Sequence, residues 1–255
     1  MKRYILMLCI GLFFGMHADD SIVIHKQAKS PKVVKLDDIG MPKKLEAKID
    51  AGKIVIRTAD SGFSCTYRGH KTDMSKTVKV KKGGEKLELE FKKASKSQSF
   101  FEYIGSAFDK KEVHTDPHDA RVNFDVVLPK NCEIKIKLGS GEIDIAGING
   151  EIKVEAGSAT IKAHSISHNA ELSLGSGKID VIYADNKLYT PKKCKIKAGY
   201  AQVTLAVPSS FCVKNKIKGA PFASKITNDC EPCAHNPDII FEGGIGSGSV
   251  VIKKK

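Results

Sequence analysis

Residues 132–146 read CEIKIKLGSGEIDIA, and residues 150–163 read GEIKVEAGSATIKA. Beneath them can be set residues 168–182, HNAELSLGSGKIDVI, and residues 193–207, KCKIKAGYAQVTLAV. Gly139, Gly157, Gly175 and Gly199 then fall in register, at steps of 18, 18 and 24 residues. A step that recurs and is then stretched by an insertion marks a stacked repeat. Around each glycine, apolar and charged residues alternate with the period of two that a strand requires. The apolar positions make four columns: Ile134, Ile152, Ala170, Cys194; Ile136, Val154, Leu172, Ile196; Leu138, Ala156, Leu174, Ala198; and Ile143, Ile161, Ile179, Val203. Each repeat is expected to be strand, glycine corner, strand. One repeat cannot bury its own apolar face, but stacked neighbours can.

The pattern extends in both directions. Residues 45–56, LEAKIDAGKIVI, match 134–145, with Gly52 in the place of Gly141. Residues 245–252, IGSGSVVI, repeat the corner at Gly246 and its second strand. A bend between two strands at every level needs a backbone conformation, or a close approach, that a Cβ obstructs, which accounts for the glycines. A phosphate-cradling loop would need a helix after Gly-Ser-Gly, and a β-branched strand follows each time. Residues 77–91 read as two strands around Gly83-Gly84, a hairpin signal. Residues 95–119 are polar and aperiodic, a long loop, and 121–128 resume as a strand before Pro129. The expected fold class is all-β: a single-domain β-solenoid of stacked two-strand rungs with glycine corners, its ends capped by the hairpin and the C-terminal lysines.

The stretch VNFDVVLPKNCEIKIKLGSGEIDIAGINGEIKVEAGSATIKA resembles the adhesin-like family of bacterial β-strand-repeat domains of unknown function. There an extended strand ends in proline and serial strand, Gly-Ser-Gly, strand units follow. The likeness runs over roughly residues 43–252. It implies a β-solenoid exported to, or displayed at, the envelope. Two features depart from that pattern: six cysteines, and about 20 extra residues around 228–237 before the last corner.

The N-terminus carries a basic start (Lys2, Arg3), an apolar run from Tyr4 to Met16, and Ala18 followed by two aspartates. This reads as a secretion signal, because the run is shorter than the ~20 residues needed to span a bilayer. The organisation expected is a signal peptide over 1–18, a basic flexible lead-in over 19–42, and one repeat domain over 43–255 with a hairpin and loop insertion at 77–120. No transmembrane span is expected after signal removal, and the localisation is exported, periplasmic or at the cell surface. The net charge of +13 becomes +11 without Lys2 and Arg3, which favours anionic partners. Lysines that alternate with core residues also fit a solvated outer face.

Removing Cys9 leaves Cys65, Cys132, Cys194, Cys212, Cys230 and Cys233, an even set and the candidate disulfide cysteines of an exported chain. Cys230-Glu-Pro-Cys233, with Cys212 and His235 nearby, leaves three readings open: a disulfide, a zinc knot, or a redox dithiol, which would want a helix N-terminus to lower a thiol pKa. Residues 114–119, HTDPHD, gather possible metal ligands in a polar loop. Glu142 and Asp144 are the outer-face carboxylates a polysaccharide-cleaving β-helix would use, but they alternate with Lys135, Lys153, Lys162 and Lys178, as cross-rung charge pairs do. Nucleotide, nucleophile-elbow and triad signatures are absent, and no cofactor is implied. Basic groups without interleaved aromatics do not read as a nucleic-acid surface. The expectation is a non-enzymatic exported scaffold that binds a protein or an anionic polysaccharide of an envelope surface.

Overall fold

Alternating β-branched and charged residues give a repeat one apolar face as a strand. A parallel ladder then supplies each backbone group with a partner in the next repeat. The computed structural model describes residues 32–34, 41–60, 62–69, 78–92, 121–186, 191–231, 233 and 236–255. The expected signal segment with Cys9, the 114–119 cluster and His235 lie outside the described residues.

Every regular element among the described residues is a strand. In chain order they are β1 (Lys32–Val34), β2 (Lys44–Ala59), β3 (Ser64–Gly69), β4 (Val78–Gly83), β5 (Lys86–Phe91), β6 (Val122–Pro129), β7 (Glu133–Ala146), β8 (Ile152–Ile166), β9 (Ala170–Tyr183), β10 (Lys192–Val207), β11 (Val213–Gly219), β12 (Ser224–Asn228) and β13 (Ile239–Lys254). They form one open sheet of 13 strands, whose centre runs β2, β7, β8, β9, β10, β13 with all neighbours parallel. The hairpin at Gly83-Gly84 is present as antiparallel β4 and β5. Residues 32–34 of the expected lead-in add β1 antiparallel to β3.

The apolar columns coincide with the register. Ile134 pairs Ile152, Ile152 pairs Ala170 and Ala170 pairs Cys194, and the other three columns follow in step. Ile134, Ile136, Ile143 and Ile145 are at most 2% exposed. Burying such a side chain contributes about 1.5–3 kcal/mol, repeated at every rung.

Each repeat is one continuous strand of 14–16 residues, not two strands separated by a break. The corner lies inside it. In β7 the buried residues are Ile134, Ile136 and Leu138, then Ile143 and Ile145. Leu138 and Ile143 are an odd number of residues apart, so the inward face changes across the corner and each strand has two arms. Tyr183, at the far end of the second arm of β9, sets its ring 6.2 Å from Phe241 in the first arm of β13. The buried residues of both arms belong to one hydrophobic core.

At both ends of the parallel series two shorter strands take the place of one long strand. The first arm of β2 pairs β5 and its second arm pairs β6. The first arm of β13 pairs β11 and its second arm pairs β12. The terminal lysines, expected as a cap, lie instead on β13, one rung inside that end.

Candidate functional site: the outer faces and the corner

Side chains that alternate with the core columns point outward and meet across rungs. On the first arm Lys137 reaches Glu155 at 2.7 Å, Lys153 reaches Glu171 at 3.2 Å, and Lys195 and Lys197 approach Glu171 at 3.6 and 3.9 Å. On the second arm Glu142 lies between Lys53 (3.2 Å) and Lys162 (3.1 Å). Arg57 grips Asp144 with two nitrogens, at 2.7 and 3.1 Å. This is the cross-rung pairing expected for a stack with alternating charge.

The pairing also decides what Glu142 and Asp144 can do. The Lys162 ammonium holds Glu142 below its ordinary value, and the Arg57 guanidinium does the same for Asp144. Glycoside cleavage needs one carboxylic acid whose pKa is raised so that it keeps a proton. This pair is pushed in the opposite direction.

The pairing thins towards the β11/β12 end. The outward residues of β11 are Lys214, Lys216 and Lys218, all exposed. With Lys178, Lys193 and Lys225 they make no ion pair among the described residues; the carboxylates at that end are Glu242 on the first arm of β13 and Asp229, Glu231 and Asp238 between β12 and β13.

The corners themselves line up. Ser140, Ser158, Ser176, Tyr200 and Ser247 form one column along the outside of the bend. Tyr200, 67% exposed, breaks a row of serines. The aligned repeats show this substitution once the corner column is known to face solvent. Two physical constraints act on the glycines. A Cβ on Gly157 would come 2.6 Å from the Gly139 carbonyl oxygen, and Gly175, Gly199 and Gly246 are hemmed in the same way; one on Gly139 would meet the Asp50 carbonyl. Gly141, one strand step on, has φ 136°, and its Cβ would strike the Gly52 carbonyl.

Of the candidate cysteines, Cys212 and Cys233 form a disulfide, with Cα atoms 5.5 Å apart. Cys65, Cys132, Cys194 and Cys230 are buried free thiols. Burial pushes Cys65 and Cys194 up to about 12 and Cys132 up to about 11, so they behave as small hydrophobes and not as nucleophiles. The disulfide also takes Cys212 and Cys233 from the thiolates that a zinc knot would use.

No family model matches the chain, and no curated protein matches it. Among solved structures it is similar to a candidate cell adhesion protein from Clostridium sporogenes, at 16% identity and a TM-score of 0.47, covering 90% of this chain and 100% of that one. It is also similar to a candidate adhesin from Bacteroides fragilis, at 11% identity and a TM-score of 0.32, covering 89% of this chain and 99% of that one. No helix among the described residues is long and apolar enough to cross a membrane.

Proposed function

We propose that this chain is an exported, non-enzymatic binding scaffold of the cell envelope or surface, adhesin-like in use, whose outer faces meet a protein or an anionic polysaccharide. In this reading the bent strands are the rungs of a β-solenoid, each with two arms about a glycine corner. The signal-like N-terminus and the Cys212–Cys233 disulfide support an oxidising compartment. The family resemblance of the repeats supports display at the envelope.

The observation that carries the reading is the distribution of outer-face charge. Cations and carboxylates neutralise one another across the middle rungs, while unpaired lysines collect towards β11. Lysines left without a carboxylate partner at one end also give an anionic partner a place to bind. Attraction of this kind is long-ranged, loosely specific and screened by salt.

Two measurements test it. Retention on a sulfated-polysaccharide column should fall steadily as ionic strength rises; elution that ignores salt counts against an electrostatic face. The intact mass of protein from its native host should begin at Asp19. A mass that keeps Met1 with all thiols free removes the export half of the reading.

A further inference from the structure

One turn at the β11/β12 end carries two unfavourable features at a single residue. Ala220, Pro221, Phe222 and Ala223 connect the two half-strands at the level where other rungs have their corner. Ala223 N–H donates to the Ala220 carbonyl at 3.3 Å, closing a tight turn with Pro221 second and Phe222 third. Phe222 has φ 63°. A positive φ at the third position of such a turn is where glycine or asparagine belongs, and a bulky side chain there is strained. Its ring is also fully exposed to solvent.

The turn is nonetheless held firmly. The Ser224 hydroxyl donates to the Ala220 carbonyl at 2.8 Å. Ala220 N–H donates to Ile245 O, and Gly248 N–H to Ala223 O, each at 3.0 Å. A fixed scaffold thus presents an apolar ring in a conformation its residue type disfavours, which is how strain kept for use looks.

The surroundings say for what use. Tyr200 stands on the same ridge two rungs away, about 10 Å by strand spacing. On the first-arm side Lys218 and Lys197 occupy one column with only Gly244 between them. On the second-arm side Lys225 and Lys178 share a column with Ser249 and Gln202. The nearest ladder carboxylates are Glu171, 3.9 Å from Lys197, Glu242, and Asp180, two residues along β9 from Lys178. Two exposed aromatics are therefore flanked on both sides by lysines.

We propose that this corner ridge docks onto an anionic phospholipid bilayer, Phe222 and Tyr200 entering the headgroup region while Lys178, Lys197, Lys218 and Lys225 meet the lipid phosphates. The inference goes beyond the scaffold reading, which names a protein or an anionic polysaccharide, and gives the same electrostatic surface a lipid partner. Aromatic rings settle at the membrane interface, and clustered lysines add attraction to anionic headgroups. A glycan or single-stranded nucleic acid would instead be stacked on ring faces along a groove. Phe222 caps a convex turn and offers a wedge.

The chain contains no tryptophan, so Phe222→Trp places a single reporter at the tip. Its emission should shift to the blue with vesicles of mixed phosphatidylglycerol and phosphatidylcholine at low salt. It should stay unchanged with phosphatidylcholine alone. Adding Lys218→Glu and Lys225→Glu to the reporter should abolish the shift. In the chain with all other residues intact, Phe222→Gly should lower co-sedimentation with anionic vesicles at least tenfold while raising the melting temperature, because it relieves the turn. An equal blue shift with neutral vesicles overturns the proposal. So does a shift produced by dextran sulfate but by no vesicle, which makes the ridge a glycan site. If no vesicle is bound while salt-dependent retention on the polysaccharide persists, the bilayer inference falls and the scaffold reading stands. If neither is bound, both fall.

Discussion

A methyl group decides whether one rung can lie on the next. At Gly157 a Cβ would sit 2.6 Å from the Gly139 carbonyl oxygen, and that oxygen belongs to a ladder that cannot step aside without misplacing every rung above. Gly157→Ala should therefore cost about 1–3 kcal/mol, the range for overpacking. Ser158→Ala, one residue on and exposed, should be close to neutral, and paired urea titrations would show the contrast. Tyr183 presents the reverse case. Its hydroxyl is buried without a conventional partner, with only the weak Cys194 thiol beside it. A buried polar group left unmade costs about 1–3 kcal/mol. Tyr183→Phe keeps the ring against Phe241 and removes that group, so its denaturation midpoint should rise.

Strands were legible in the sequence wherever alternation was clean, as in β7 to β10, because a period of two shows which face is inward. Where glycine or polar residues stand in apolar columns the signal vanished. The first arm of β13 has Gly243 opposite Ile196, and β11 has Asn215 facing Phe241. β11 and the first half of β13 gave no periodic cue for that reason, while β3 and β12 are only six and five residues long, too short for a period to show. The outer-face pairs of Glu142, Asp144 and Glu171 were legible as alternation of sign. Tyr200 and Phe222 carry no such sign in the sequence, since exposure at a corner is known only once the corner's direction is known. The charged ladder also sets a response to acid. Hydrogen bonds from Lys86, Lys92, Lys162, Arg57, Lys137 and Lys153 lower the pKa values of Glu46, Glu90, Glu142, Asp144, Glu155 and Glu171 respectively. A carboxylate whose folded pKa is depressed contributes stability above its unfolded value and loses it as pH falls through the folded one. Each pair is half-exposed and weak alone, so the effect is cumulative. Melting temperature should be level from about pH 8 to 6 and fall progressively below about pH 4, and added salt should flatten the profile.

At the scale of the molecule, an open stack has two ends, and each presents unpaired backbone to other chains. One end closes with strands that turn back antiparallel, β4 on β5 and β3 on β6. The other ends on parallel β11 and β12, without such a turn, and carries Lys214, Lys216 and Lys218 along β11. Lys79 and Lys81 stand on β4, so joining the two ends would bring like charges together. Replacing Lys214, Lys216 and Lys218 with threonine should yield concentration-dependent oligomers in sedimentation velocity, whereas the unaltered chain should keep one sedimentation coefficient over the same range. The order of strands has a further consequence, in time more than in space. Residues 213–228 are made before residues 239–254, yet β11 and β12 pair only with β13 and never with β10. Rung upon rung can close behind the emerging chain as far as β10. After that a lysine-rich segment must wait, unpartnered, until a later strand slides into the gap and completes two half-rungs at once. The strand that arrives last is a keystone, and the interval before it arrives is when this chain is most open to proteases and to other chains.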